Sequence, residues 1–362
     1  MNVRFAERST LRAVRAYRDK ESSNGEDGTH ITFDLSSNEL ALPPLPTVLG
    51  GIEERLPQLA RYPDPTARDL TSEVARHLCV SADELAVGPG SAGVLQQLLL
   101  ALCGKGDEVV YAWPGFDAYP LLVAISGATS VQAPLTASGG HDLDEIRTRV
   151  SARTKVVILC SPHNPTGATI DHDELRGFLH SLPDHVVTVL DEAYVEFDRG
   201  SDPPGTPGLL REHRNIVVLR TFSKAYGLAG LRVGYAAGPQ QVMAAVRKAA
   251  IPFGVTRFAE QAAILSLRSE GELMERLAAA AAAREELTAG LRTLGLPVLP
   301  SRANFVWLPL AGAAESFTRA AASAGVKVRS YPGHGARISV GETEAHRMLL
   351  AALGQKDHGA EF

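Results

Sequence analysis

The sequence predicts an α/β protein: a large domain on a mostly parallel sheet, followed by a smaller α+β unit. Two observations carry this. From about Asp69 to Val242, short apolar runs alternate with helix-like stretches of roughly 10–15 residues. After about Ala250 that alternation gives way to a long Ala-rich stretch and then to short strand-like runs.

Taken in order, residues 1–30 are polar and charged, and ESSNGEDGTH at 21–30 reads as a flexible loop. The apolar runs are 85–87, 108–111, 155–160, 186–191 and 216–220. They are short and mostly β-branched, and they lie between amphipathic stretches. That is the signature of buried parallel strands with helices on the sheet's faces. Residues 273–291 read as one long helix, because alanine is the best helix former and Arg and Glu keep its surface wet. Strands are expected at 304–308, 326–329 and 337–340, with a helix around 314–324 between the first two. A ligand site is expected where the two units meet.

Composition narrows the function. The 362 residues suffice for one large and one small domain. A net charge of −5 disfavours a nucleic-acid partner. Cys79, Cys103 and Cys160 are odd in number and include no CxxC, so neither a disulfide framework nor a zinc site is expected. They read as small buried hydrophobes in a reducing, cytoplasmic protein. No apolar run reaches the roughly 18 residues of a membrane span, and residues 1–20 do not read as a signal peptide.

The chemistry-bearing residues follow the strands. The string Thr221-Phe222-Ser223-Lys224-Ala225-Tyr226-Gly227-Leu228-Ala229-Gly230-Leu231-Arg232-Val233-Gly234 comes after an apolar run. A lysine in a turn is ordinarily a solvated charge. This one has Thr221 and Ser223 before it and glycines and Arg232 after it. Hydroxyls with a guanidinium suit a phosphate dianion. A lysine beside a phosphate site is placed to condense with an aldehyde cofactor.

Asp191, in Val189-Leu190-Asp191-Glu192-Ala193-Tyr194, ends an apolar strand, where open α/β sheets bind ligands; a helix N-cap is the plainer reading. Glu192 and Glu196 read as surface or supporting residues. Ser161-Pro162-His163-Asn164-Pro165-Thr166-Gly167 has the composition of a turn. Val87-Gly88-Pro89-Gly90-Ser91-Ala92-Gly93 is a Gly-rich turn feeding a helix expected from about Val94, and such N-termini attract anions. Phe116, in Trp113-Pro114-Gly115-Phe116-Asp117-Ala118-Tyr119, either packs a βα junction or stacks on a ring. Arg61-Tyr62-Pro63-Asp64-Pro65 is turn-like. Arg337 alternates with apolar residues in Gly335-Ala336-Arg337-Ile338-Ser339-Val340, and burying it is costly unless a partner such as a carboxylate pairs with it.

In this order, these motifs resemble those of the fold-type I pyridoxal-phosphate-dependent aminotransferases. They are most similar to the histidinol-phosphate aminotransferase group, which includes aromatic amino-acid aminotransferases and a threonine-phosphate decarboxylase. The resemblance runs from about Tyr17 to Val340. It implies a large domain, 45–265, on a mostly parallel seven-stranded sheet. It also implies a small α+β domain from both chain ends, 1–44 and 266–362, and an active homodimer. The implied cofactor is pyridoxal 5′-phosphate, held by Lys224. By the same resemblance Asp191 pairs with the pyridine nitrogen, and Tyr194 and Asn164 bond the 3-oxygen. Phe116 stacks on the ring. Ser91, Ala92, Gly93, Thr221, Ser223 and Arg232 surround the phosphate, and Tyr62 reaches the phosphate of the other subunit. Arg337 binds the substrate α-carboxylate, with Asn38, Tyr17 and Arg329 nearby. Asn304 reads as structural. His163 stands where the family commonly has Asn and reads as a solvated loop residue. Ala92 and Gly93 stand where acidic residues are frequent.

The expected reaction is ping-pong transfer of an amino group to an oxo acid, 2-oxoglutarate. The same groups also serve decarboxylases, so that class stays open. A non-catalytic regulator would need a basic DNA-binding region, which the sequence does not show. Ser37-Asn38-Glu39-Leu40-Ala41-Leu42-Pro43-Pro44 departs from the family's more polar string. Leu40, Ala41 and Leu42 are expected to form an apolar wall that favours an aromatic donor over histidinol phosphate, with Arg329 the residue that would suit a phosphate.

Overall fold

The computed structural model describes residues 8–12, 14, 30–198 and 205–354. Tyr17 and nearly all of the expected loop at 21–30 lie outside the described residues. The helix α1 (Ser9–Arg12) and the strand β1 (Phe33–Asp34) come first, then α2 (Pro46–Glu53) and α3 (Arg68–Leu78). The central run is β2 (Leu85–Gly88), α4 (Gly90–Leu102), β3 (Glu108–Trp113), α5 (Tyr119–Ser126), β4 (Thr129–Pro134) and α6 (Leu143–Thr148). It continues with β5 (Thr154–Cys160), α7 (His172–Ser181), β6 (Val187–Asp191), α8 (Thr206–Glu212), β7 (Ile216–Thr221), β8 (Gly234–Ala237) and α9 (Gln240–Lys248). After α10 (Arg257–Arg268) and α11 (Glu270–Thr293) come β9 (Phe305–Leu308), α12 (Ala314–Ser323), β10 (Val326–Lys327), β11 (Arg329–Tyr331), β12 (Gly335–Ser339) and α13 (Thr343–Gly354).

Seven strands form one sheet in the order β2-β8-β7-β6-β5-β3-β4. Only β8 runs against its neighbours. The five apolar runs of the sequence are five of these strands, buried by helices on both faces. Two strands were not expected. β4 is an edge strand with Ala133 its one buried residue, so it shows no apolar run. β8 is Gly-Tyr-Ala-Ala and has no β-branched residue.

A three-stranded sheet, β11-β12-β9, forms a second unit with α12 and α13. The expected strand at 326–329 divides in two. Val326 and Lys327 pair in parallel with Phe33 and Asp34, while Arg329 turns to join β12. The β1–β10 pair ties the front of the chain to its end. The first half of α11 packs Leu273 and Leu277 against the core beside the large sheet; its second half packs Leu287 and Leu291 into the small unit.

Candidate active site

The candidate residues sit at the carboxyl ends of the parallel strands, facing a cleft of about 540 Å³ between the two sheets. Asp191 is the last residue of β6 and forms the floor. Its carboxylate accepts hydrogen bonds from the Tyr119 hydroxyl at 2.8 Å and the Ala193 N–H at 3.1 Å. Burial nevertheless pushes its pKa up to about 6, because two hydrogen bonds offset only part of the lost hydration. A buried carboxylate held this way favours an arriving cation. It is no helix N-cap; a short 3₁₀ turn begins only at Val195.

Lys224 follows β7, and its Nζ donates to the Ser37 carbonyl at 2.9 Å. It lies 5.9 Å from the Tyr194 ring centroid. The Tyr194 hydroxyl accepts from Asn38 Nδ2 at 2.9 Å, and burial raises its pKa. Asn38 is set in turn by Ser339, which accepts from its N–H at 2.8 Å and donates to its Oδ1 at 3.0 Å. Arg337 is buried on β12. It donates to the Ser36 carbonyl at 2.6 Å, to the Tyr331 hydroxyl at 3.2 Å and to Asn164 Oδ1. Its Nε is buried with no hydrogen-bond partner among the described residues. A partner of bidentate shape would satisfy it.

One end of the cleft is an anion cradle. Arg232 donates to Ser223 Oγ at 3.0 Å, and Ser223 N–H is anchored on Thr221 Oγ1 at 3.1 Å. The helix α4 begins here at Gly90, four residues earlier than expected from sequence, with no side chain capping its N-terminus. Ser91 and Ala92 line the cleft at that first turn. Gly90 has φ +78°, and a Cβ there would run into the Arg232 guanidinium. A Cβ on Gly234 would lie 2.5 Å from the Ser91 nitrogen, so β8 passes directly beneath the turn. An uncapped helix start, a guanidinium and a hydroxyl fit a phosphate. With Phe116 on the wall and Asp191 on the floor, the cleft fits pyridoxal phosphate.

Most of the sequence-predicted residues therefore converge: Lys224, Asp191, Tyr194, Asn164, Phe116, Ser91, Ala92, Thr221, Ser223, Arg232, Asn38, Arg329 and Arg337 all border the cleft. Gly93 does not border it; it packs against Pro89. Tyr62 is 79% exposed and stacks on Phe253 at 5.0 Å, away from this chain's own cleft. Tyr17 lies outside the described residues.

Three expectations need correction. His163 is not a solvated loop residue: its Nε2 donates to the Pro114 carbonyl at 3.0 Å and its ring meets His141 edge-on. Burial holds it well below the usual histidine range, so it is neutral. Cys79 is exposed and only Cys160 is fully buried. Of the two roles expected for Glu192 and Glu196, the supporting one fits: Glu192 is buried, Glu196 is partly buried, and Arg220 pairs with both. The apolar wall does not form: Ser36 to Glu39 reach the cleft, whereas Leu40 packs into the core and Leu42 faces solvent. Asn38, at φ +55° and bonded to Ser339, turns the chain away there. Tyr119, Ser339 and Asp117 lie inside the motif strings but had no role assigned to them from sequence. Each owes its role to a partner distant in sequence, so no local pattern marks it.

The fold and the cleft define a transferase of the pyridoxal-phosphate-dependent class, fold type I. The chain belongs to the aminotransferase class I and II family, whose sequence profile matches residues 30–353. An aromatic amino acid aminotransferase from Streptomyces avermitilis is 48% identical over 320 residues, covering 88% of this chain and 89% of its own. One from Thermobifida fusca is 45% identical over 334 residues, covering 92% of each chain. A solved histidinol-phosphate aminotransferase from Sinorhizobium meliloti, in complex with pyridoxal-5′-phosphate, superposes with a TM-score of 0.87 at 30% identity, covering 97% of both chains.

Proposed function

We propose that this aminotransferase moves the amino group of an aromatic amino acid to 2-oxoglutarate, with Lys224 as the catalytic base. The observation that carries the reading is the meeting of Lys224, Asp191 and Arg337 in one cleft. The aromatic donor rests on the relatives of 45–48% identity that bear that name.

Pyridoxal phosphate, when bound, supplies an aldehyde and an electron-withdrawing ring. The chain's own groups do the rest. Arg337, whose Nε has no hydrogen-bond partner among the described residues, binds the substrate α-carboxylate and thereby fixes the Cα–H direction. Lys224 would hold the cofactor's aldehyde, and its free amine would be the base that takes the proton from the substrate Cα. Asp191 holds a proton on the pyridine nitrogen, and the raised pKa of the cofactor-free site is relieved by that positive charge. Asn164 and Tyr194 orient the 3-oxygen. Arg232, Ser223 and the N–H groups at the start of α4 hold the phosphate.

The division into 45–265 and 1–44 with 266–362 belongs to the same proposal, supported by a separate core built from Leu35 and residues of 287–353. So do a homodimer, supported by the exposed Tyr62 and its apolar surroundings, and a cytoplasmic location, compatible with three free thiols. The test of donor choice is kcat/KM for phenylalanine, tyrosine and histidinol phosphate with 2-oxoglutarate as acceptor. The aromatic donors should lead. A preference of about tenfold or more for histidinol phosphate, about 1.4 kcal/mol in transition-state binding, overturns the choice.

A further inference from the structure

Arg329 and Arg337 are cross-strand partners. The antiparallel pairing of β11 with β12 sets their Cα positions opposite each other, so both side chains project from one face of the sheet, into the cleft. Like charges in that arrangement repel unless each finds compensation. The chain treats the two differently. Arg337 bonds only to neutral oxygens and has no salt bridge among the described residues, so its charge is left for a ligand. Arg329 instead forms an ion pair at 2.5 Å with Asp117, which reaches it from the large sheet's side, directly after Phe116. Both partners are about a quarter exposed, at 26% and 25%, so a substrate can touch the pair.

We infer that Asp117 is a specificity-determining positioning residue: by holding Arg329 in an ion pair, it fits the cleft to a neutral substrate side chain and against a second anionic group. The inference rests on the aromatic-donor reading and deepens it by naming what the cleft rejects. With Lys224 and Arg232 committed to the cofactor, the cleft offers a substrate the positive charge of Arg337, which has no salt bridge among the described residues, beside the paired Arg329 and Asp117. A substrate with a single carboxylate and an uncharged ring satisfies that arrangement as it stands. A distal carboxylate or phosphate must draw Arg329 away and leave the Asp117 carboxylate facing it. The proposed acceptor, 2-oxoglutarate, carries such a second carboxylate, so the same pair weakens binding in the second half of the reaction. Repulsion built against one ligand class is a recognised source of specificity.

The test uses holoenzyme and two unreactive ligands, 3-phenylpropionate and glutarate, with affinities from calorimetry. Asp117→Asn should shift the glutarate-to-phenylpropionate affinity ratio toward glutarate by about tenfold or more and lower the KM for 2-oxoglutarate. Asp117→Glu, which keeps the charge, should restore the wild-type ratio. Arg329→Gln should move the ratio the other way and abolish the effect of adding Asp117→Asn. A ratio that stays within about threefold of wild type in Asp117→Asn overturns the inference. So does an equal loss of both affinities, which is the mark of a merely structural role. An unmoved ratio in Arg329→Gln overturns it as well, should Asp117→Asn fold poorly. Failure of the wild type to use phenylalanine or tyrosine would defeat the aromatic-donor reading alone, because the binding ratios are read without turnover.

Discussion

At the scale of single residues, burial decides the chemistry of Asp191. In the cofactor-free protein its pKa stands at about 6 against an ordinary 3.8. A carboxyl with a raised folded-state pKa stabilises the fold fully below its ordinary value, and that contribution is lost as pH rises through about 6. Asp191→Asn removes the titration. The difference in unfolding free energy between the variant and wild-type apoprotein, read from denaturant titration, should therefore move in the variant's favour from about pH 4 to pH 7, by on the order of 3 kcal/mol. A pH-independent gap would rule out this account of the site. In the holoenzyme the same substitution should keep the cofactor yet lower kcat/KM by about a hundredfold or more, since an amide cannot hold the pyridine proton by charge. Lys224→Ala should lose the visible absorbance of the lysine-bound cofactor, and borohydride reduction of wild type should label Lys224 and no other lysine. Asp191 and Arg337 stood out in the sequence because a charged residue at the end of, or within, an apolar strand demands a reason, and Lys224, past the end of β7, stood out by the hydroxyls, glycines and Arg232 around it. Tyr119 and Asp117 were not, because their partners lie 72 and 212 residues away. His163 was misread for the same cause: a turn-like string gives no sign of the Pro114 carbonyl and the His141 ring that enclose it.

At the scale of elements, the start of α4 and the strand β8 form one device. Gly90 is required twice, by its positive φ and by the Arg232 guanidinium pressed against it. Gly90→Ala should displace Arg232 and weaken pyridoxal phosphate binding to the apoprotein by about tenfold or more, read by titration, while the fold survives with a loss of about 1–3 kcal/mol. Unchanged cofactor affinity would show that the cradle lies elsewhere. The same close approach explains why β8 escaped the sequence reading. A strand that passes beneath a helix start needs Gly and Ala, and those residues carry no strand signal. Edge position hid β4 in a similar way, since only a strand buried on both faces shows an unbroken apolar run. Four of the five strands that were legible lie inside the sheet; the fifth, β2, is its other edge and leads into the turn that starts α4. Val326 and Lys327 were expected in a strand, but their pairing with β1 was illegible because two residues near the front of the chain make no pattern of their own.

At the scale of the whole molecule, Tyr62 points away from its own cleft. It stacks on Phe253, and Arg257 donates to its carbonyl at 2.9 Å. Leu56, Leu59 and Ile251 are also exposed, which leaves large apolar side chains uncovered on one chain. A homodimer would cover them and bring Tyr62 to the partner's phosphate cradle. Tyr62→Phe should then weaken cofactor binding by severalfold without dissociating the dimer in sedimentation, since only one hydroxyl is lost. A fully active monomer at assay concentration would contradict the shared site. The central claim, that this cleft transfers an amino group, is tested most directly by a single half-reaction. Holoenzyme mixed with phenylalanine and no acceptor should release one phenylpyruvate per active site and no CO₂, and then stop until 2-oxoglutarate is added. Release of CO₂, or continued turnover without an acceptor, would contradict it.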